Sequence, residues 1–536
     1  MTEHGSTRKP VGSGRIPASP GSPLADARSE QPTGGDFDPV TLQVLVGALR
    51  SACDEMGAVL VRAAHSANVK ERRDCSTALF DGRGELVMQA EHIPVHLGSM
   101  PDAVAAVMGA EQRPGDLWVL NDPYRGGTHL PDITLIAPVF DADGLLAFAA
   151  SRAHHADVGG PTPAGMPPRS TRLDEEGIVI PPTRVDTGSL AGLADRMRRP
   201  DERRADLLAQ RSALAVGERR LRELGERYGP QTLRTGMAEI LDYAERRSRA
   251  RLDELPDGSW TAEDVLEGGP DGAEDVRLRV TATISGSELE LDFAGSAPQV
   301  AGNLNCPLPV TKSAALFAVR VLIDPDAPPS AGAHRPIRVH APEGSVLNAR
   351  PPAAVAAGNV ETSSRVADLV VSALGGALEV PAQGQGTMNN VTLAGEGFTY
   401  YETIGGGQGA CPGAEGPSAI HVAMSNTLNT PIEALETELP VRVREFGLRR
   451  ESGGAGRRRG GDGIVRELEA LAPMRFTLIA ERRRHPPRGR AGGADGAPGR
   501  DTRNGEPLPS KAEGDLGPGD RLRIETPGGG GWGEPR

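Results

Sequence analysis

The chain has 536 residues, a formal net charge of -13, 69 glycines, 46 prolines and only 3% aromatic residues. That length suits two to four domains or one large multilayer body, with a core that needs no covalent staples. The negative balance and the scarcity of aromatics argue against nucleic acid and anionic membrane as partners, which need local positive potential or stacking platforms.

Residues 1–36 are mostly Gly, Ser, Pro and charged residues. They carry too little apolar surface to offset ordering entropy, so a disordered tail without a readable signal peptide is expected. From Asp38-Pro39 onward, Val40, Leu42, Leu45, Leu49, Ala52, Met56 and Leu60 recur at helical spacing. Asp38 suits the N-cap and Pro39 the first turn. Short strands are expected at Thr77 to Phe80 and Leu86 to Gln89, then at Asp116 to Leu120, Ile133 to Phe140 and Leu145 to Arg152. The last two form a hairpin across Asp141-Ala142-Asp143-Gly144. Arg199 to Leu255 is rich in Arg, Glu, Leu and Ala, and Gly229-Pro230 breaks it. It reads as a packed antiparallel helix pair, or else as a coiled-coil face for a partner. From Trp260 the alternation becomes that of strands, with helices near Thr311 to Leu322 and Ser363 to Leu374. Arg482 to Pro518, rich in Pro, Gly and Arg, reads as an exposed loop. The expected fold class is α/β (α+β): a large multilayer body with a helical hairpin insertion and a β-rich C-terminal half. Its divisions are a tail (1–36), an N-terminal α/β region (37–198), the helical hairpin (199–257) and a β-rich remainder with Gly-rich loops (258–536). Cys53, Cys75, Cys306 and Cys411 are scattered without a CxxC pair, which suits reduced thiols in a cytoplasmic compartment.

The chemistry concentrates in the N-terminal region. Five of the eleven histidines (His92, His96, His129, His154, His155) lie between positions 92 and 155. The polar run from Asn121 and Asp122 to His129 and Asp132 leads straight into an apolar strand. The hairpin that follows returns at His154-His155. Its closed ends bring one of those two histidines to His129 and Asp132, and two imidazoles plus a carboxylate make a divalent-metal site with open positions. Consecutive strand residues face opposite ways, so only one of the pair binds directly and the other contacts substrate or supports the site. His92 and His96 are further candidate ligands or substrate contacts. No GxxxxGK[ST] phosphate loop, GxGxxG turn or GxSxG elbow is present. Gly405 to Ala410 reads as a turn or as a close backbone approach to substrate.

Ordered along the chain are ERRDCSTALFD (71–81), HIPVHLGSM (92–100), GDLWVLNDPYRGGTHLPD (115–132) and RAHHADVGG (152–160). GNVETSSRVAD (358–368), QGQGTMNN (383–390), YETIGGGQGA (401–410), NTPIEALE (429–436), SGGAGRRRGGDG (452–463) and TPGGGGWG (526–533) follow. Together they resemble the hydantoinase B / oxoprolinase family from Phe37 to the C-terminus. The resemblance implies a divalent metal (Mn, Zn, Fe or Co) held by His129, Asp132 and a third ligand in RAHHADVGG, placed at His154 with His155 as substrate contact. It also implies a separate A-type ATPase partner carrying ATP-Mg in a hetero-oligomer, and a cyclic amide substrate such as 5-oxoproline or a hydantoin. Asp157, Glu361 and Glu402 become candidate catalytic groups. His92, His96, Asn121 and Asp122 become candidate substrate contacts. The alternatives are the alpha subunit of an acetone- or acetophenone-type carboxylase, and a non-catalytic structural subunit.

Overall fold

The computed structural model describes residues 37–91, 93–268 and 274–535. The expected tail (1–36) and His92 lie outside the described residues. The first sheet has six strands: β1 (Cys75–Asp81), β2 (Leu86–Glu91), β3 (Leu117–Leu120), β4 (Asp132–Asp141), β5 (Gly144–His154) and β6 (Thr183–Val185). Their order is β2-β1-β5-β4-β3-β6, all antiparallel. The helix Pro39–Ala63 is capped by the Asp38 carboxylate, which accepts from the Val40 and Thr41 amides. This helix and the helix Pro200–Tyr228 cover one face of the sheet. Leu45, Leu49, Met56 and Leu60 interlock there with Leu207, Leu214 and Leu221 around Leu135 and Ala149. Each such fully buried side chain stabilises the fold by about 1.5–3 kcal/mol. The leucine stripe of the helical hairpin is therefore core.

The second sheet holds β7 (Gly258–Leu266), β8 (Val276–Ser285), β9 (Glu288–Asp292) and β10 (Ile337–His340), in the order β10-β9-β8-β7. The helices Leu308–Ile323 and Ser363–Leu374 pack together in the same core. The third sheet contains β11 (Asn390–Gly395) and β12 (Phe398–Glu402), with β12 at one edge; β11 then pairs with Met474–Ile479 and that strand with Lys511–Leu516. A fourth, five-stranded sheet runs from Val441–Arg449 at its edge to Glu506–Leu508. Mixed helices and several open sheets match the expected class.

Two C-terminal expectations change. Arg482 to Pro518 contributes strands to the third and fourth sheets, with Arg482 and Lys511 fully buried. Its charges are internal because they are paired: Arg482 with Asp264 and Asp368, Lys511 with Glu481. The Gly-rich motifs do not form isolated turns. Gly529 donates to Gly461, Gly454 to Gly529, Gly407 to Pro527 and Ala410 to Gly530, so three distant segments share backbone hydrogen bonds. A Cβ on Gly529 would collide with the Gln408 carbonyl and one on Gly407 with Gly461, which is why side chains are absent there.

Candidate metal centre

The hairpin register places Asp132 directly opposite His154 at the open end of β4 and β5. His129 sits one turn before β4, where its carbonyl accepts the Asp132 amide. Buried Arg152 fixes this end of the sheet: it donates to Thr134 Oγ1 at 2.7 Å, Ser99 Oγ at 2.5 Å and the Gly126 carbonyl at 3.0 Å. Three donor atoms converge as a result. His129 Nε2 is 3.1 Å from Asp132 Oδ1, His154 Nδ1 is 3.3 Å from the same oxygen, and the two nitrogens are 3.2 Å apart. Ligands bound at about 2.1 Å to one ion at angles of roughly 90–110° lie about 3.0–3.4 Å apart, so the triangle has the size a divalent cation requires. All three residues are buried and form a group able to hold such an ion. Burial works to raise the Asp132 carboxyl, but His129, His154 and His96 outweigh it and hold it well below the usual carboxylate range. Burial pushes the His154 imidazole down, which favours the neutral ligand form.

The support around the triangle is specific. Thr128 Oγ1 donates to Asp132 Oδ2 at 2.6 Å, leaving Oδ1 for the centre. His96 Nε2 lies 3.4 Å from Oδ2, and its Nδ1 pairs with Ser76 Oγ at 2.9 Å. His96 thus sits at the carboxylate itself. Tyr401 of β12 stacks on His154 at 4.7 Å and 11°. Its hydroxyl donates to Asn390 Oδ1 at 2.7 Å, and Asn390 Nδ2 donates to Glu361 Oε1 at 2.8 Å. Burial and the charge of Glu481 raise the Glu361 carboxyl to about 7. Beside the triangle is a small pocket of about 20 Å³, lined by Asp74, His96, Asp132 and His154 and by Val360, Met388, Tyr401, Thr403, Ser425 and Thr427. That is room for one water, so a ring-sized substrate requires the walls to part.

The other candidates are not brought to this point. His155 faces the opposite side, where its Nε2 donates to Gln210 Oε1 at 2.9 Å, and burial drives it down to about 4. Asn121 ties loops together through Leu130, Ile178 and Ile180. Asp122 caps the Tyr124 amide. Asp157 accepts the Gly159 and Ala164 amides and pairs with Arg198. Glu402 accepts the Thr430 amide and pairs with Arg466. Reading the sequence alone misses Tyr401, Thr403, Ser425 and Thr427. Tyr401 and Thr403 lie in the YETIGGGQGA motif, but no residue type or spacing there signals proximity to His154.

The hydantoinase B/oxoprolinase family model matches residues 38–535. The chain is 38% identical to 5-oxoprolinase 1 of Arabidopsis thaliana over 92% of its own length but 42% of that protein's, so it spans about four-tenths of that relative. It is 32% identical to the B component of a putative D-/L-hydantoinase of Pseudomonas sp. (strain NS671), covering 93% of the chain and 90% of the relative. Among solved structures, the ATP-dependent caprolactamase of Pseudomonas jessenii superposes with a TM-score of 0.86 at 30% identity over 93% of this chain and 92% of that one. Acetone carboxylase shares the fold, with a TM-score of 0.81 at 17% identity over 92% of this chain and 76% of that one. Among the described residues no helix is long and apolar enough to cross a membrane. With a match that runs through nearly every described element and includes the buried His129–Asp132–His154 triangle, the chain belongs to the hydantoinase B/oxoprolinase family.

Proposed function

We propose that this chain is the ring-opening subunit of an ATP-coupled cyclic amide hydrolase and works beside a separate A-type ATPase subunit. The observation that carries the reading is the triangle of His129 Nε2, Asp132 Oδ1 and His154 Nδ1 at 3.1–3.3 Å beside a small pocket. The relatives named as 5-oxoprolinase, D-/L-hydantoinase and ATP-dependent caprolactamase support a cyclic amide as the substrate class. When bound by these three residues, a divalent cation supplies Lewis acidity and lowers the pKa of water.

The chain's own groups do the rest. Thr128 and His96 hold the Asp132 carboxylate in one orientation. Tyr401 fixes the His154 ring by stacking, and Asn390 and Glu361 in turn fix Tyr401. Glu361 acts on the site through these two residues, as a positioning group. The test is co-expression with a candidate A-type ATPase. ATP-dependent opening of 5-oxoproline, hydantoins and lactams is measured, with a ketone plus bicarbonate as the carboxylase arm. Ring opening that needs both proteins and is lost in His129→Ala supports the reading. Carboxylation alone, or full activity and metal content in that variant, sinks it.

A further inference from the structure

Three hydroxyl residues that line the same pocket as Asp132 and His154 are joined in a continuous string through one imidazole. Thr403 Oγ1 and Thr427 Oγ1 are hydrogen-bonded at 2.6 Å. Thr427 Oγ1 lies 3.3 Å from His421 Nε2, and His421 Nδ1 is 3.0 Å from Ser425 Oγ. Thr403, Ser425 and Thr427 are buried and all line the cavity, whereas His421 is half-buried behind them. Arg72, fully buried, donates from Nη2 to Thr403 Oγ1 at 3.0 Å. Its Nη1 donates to the Tyr401 carbonyl at 2.7 Å, so the near end of the string is pinned to the strand that stacks on His154. Burial, with the charge of Arg72, drives the His421 imidazole down to about 4, so near neutral pH it is an uncharged ring with one N–H and one lone pair.

Three hydroxyls and a neutral imidazole hold four exchangeable hydrogens, and the three links between them consume three. One hydroxyl hydrogen is left over in every arrangement, and each of the three hydroxyls that can hold it belongs to a residue lining the pocket. With the imidazole hydrogen on Nε2, Ser425 donates to Nδ1 and the spare hydrogen sits at the threonine end. With it on Nδ1, Ser425 holds the spare one. Its alternative acceptor, the Val422 carbonyl, is 3.4 Å away. The two ends therefore exchange roles whenever the ring changes tautomer.

We propose that Ser425–His421–Thr427–Thr403 is a proton shuttle that carries the proton lost by the attacking water to the departing ring nitrogen. The proposal rests on the ring-opening reading above. In the step, an O–H bond of water breaks and its oxygen forms the C–O bond. The C–N bond breaks and its electron pair stays on nitrogen, while the group that the partner placed on the carbonyl oxygen stays on that oxygen and leaves the opened product in a later hydrolysis. A proton enters the string at one end hydroxyl, each member passes its own to the next, and the hydroxyl at the other end delivers one to the nitrogen. Every member finishes with the number of protons it had at the start, so the string acquires no net charge. A water refilling the cavity resets the string by carrying one proton back between its ends. Ser425 and Thr403 touch the reacting atoms, and His421 and Thr427 relay between them.

The test uses the chain in complex with its ATPase partner and a cyclic amide that the wild type opens. Thr427→Val cuts the string but keeps both end hydroxyls. It is expected to lower kcat at least about 100-fold, the low end of what positioned proton transfer contributes, with KM and bound metal within about threefold. His421→Ala is expected to behave alike and to recover kcat saturably with added imidazole, which a merely structural histidine would not do. A kcat within about threefold of wild type in Thr427→Val, or no imidazole rescue of His421→Ala, overturns the shuttle. If the wild type opens no cyclic amide, the ring-opening reading falls separately. Nitrogen-15 spectra of histidine-labelled chain, with His421 identified by its loss in His421→Ala, then decide the shuttle. A neutral ring exchanging between both tautomers near pH 7 is expected; a single fixed tautomer or a charged ring overturns it.

Discussion

The two sides of the cavity are built in different ways. The histidine–aspartate triangle comes from one hairpin and the turn before it: Asp132 and His154 face each other in one antiparallel register, and His129 lies just ahead of β4. The opposite side gathers Val360, Met388, Tyr401, Thr403, Ser425 and Thr427 from a helix N-terminus, an edge strand and irregular loops. Hydrogen bonds within one hairpin fix the first side. The second is held by long-range pins such as Arg72, which bonds to Tyr401 and Thr403 more than three hundred positions away. The contrast implies that the triangle is rigid, and that the parting of walls a substrate requires takes place on the far side.

The sharpest way to break this picture is to exchange the fates of the adjacent histidines. His154→Ala is expected to lose the metal and take turnover to background. His155→Ala is expected to keep both while destabilising the fold by about 1–3 kcal/mol, because buried Gln210 loses its donor. Metal analysis, turnover and thermal melting read all three quantities, and the reverse pattern would remove the triangle assignment. Next in size is Thr128→Ala. Freeing Asp132 Oδ2 is expected to weaken metal affinity about 10- to 100-fold, measured by competition with a chelator. An affinity unchanged in that variant would show that the near side needs no second layer.

Smaller effects sharpen the far side. Tyr401→Phe retains the stack on His154 but leaves Asn390 Oδ1 buried without its donor. It is expected to cost about 1–3 kcal/mol in melting experiments and to leave metal content unchanged. A further effect is a pH dependence. Burial and Glu481 raise the Glu361 carboxyl from 4.5 to about 7, so the folded chain favours its neutral form. The corresponding stability is present in full below the ordinary carboxylate pKa and is lost as pH rises through about 7. Glu361→Gln stays neutral, so its melting temperature is expected to rise relative to wild type between about pH 5 and pH 8. A constant difference across that range would show that Glu361 is ionised throughout.

Much of the near side is legible in the sequence. Apolar alternation marks β4 and β5, and the Asp-Ala-Asp-Gly turn closes them into a hairpin. Two-residue periodicity then requires that His154 and His155 part company. It does not say which one faces the metal. Asn121, Asp122 and Asp157 carry the same polar, loop-like signal as His129 and read as site residues, yet they satisfy backbone groups of the surrounding loops. A side chain that binds substrate and one that completes a turn are of the same chemical type. Arg482 to Pro518 shows the limit in another form: its composition is that of a solvated loop, but carboxylates more than two hundred positions earlier, such as Asp264, neutralise its arginines and draw it inside.

The sequence by itself determined the class of fold, the Asp38 cap of the first helix, the hairpin and the local convergence of His129, Asp132 and one following histidine. These depend on interactions a few residues apart, whose geometry the backbone period dictates. Tertiary structure alone decided that His154 and not His155 turns inward, that Tyr401 stacks on it, and that His421 links Ser425 to Thr427 at the cavity wall. The wall they form meets the hairpin across hundreds of residues of chain. No local propensity encodes that meeting, and only the packing of the sheets around one small buried space brings it about.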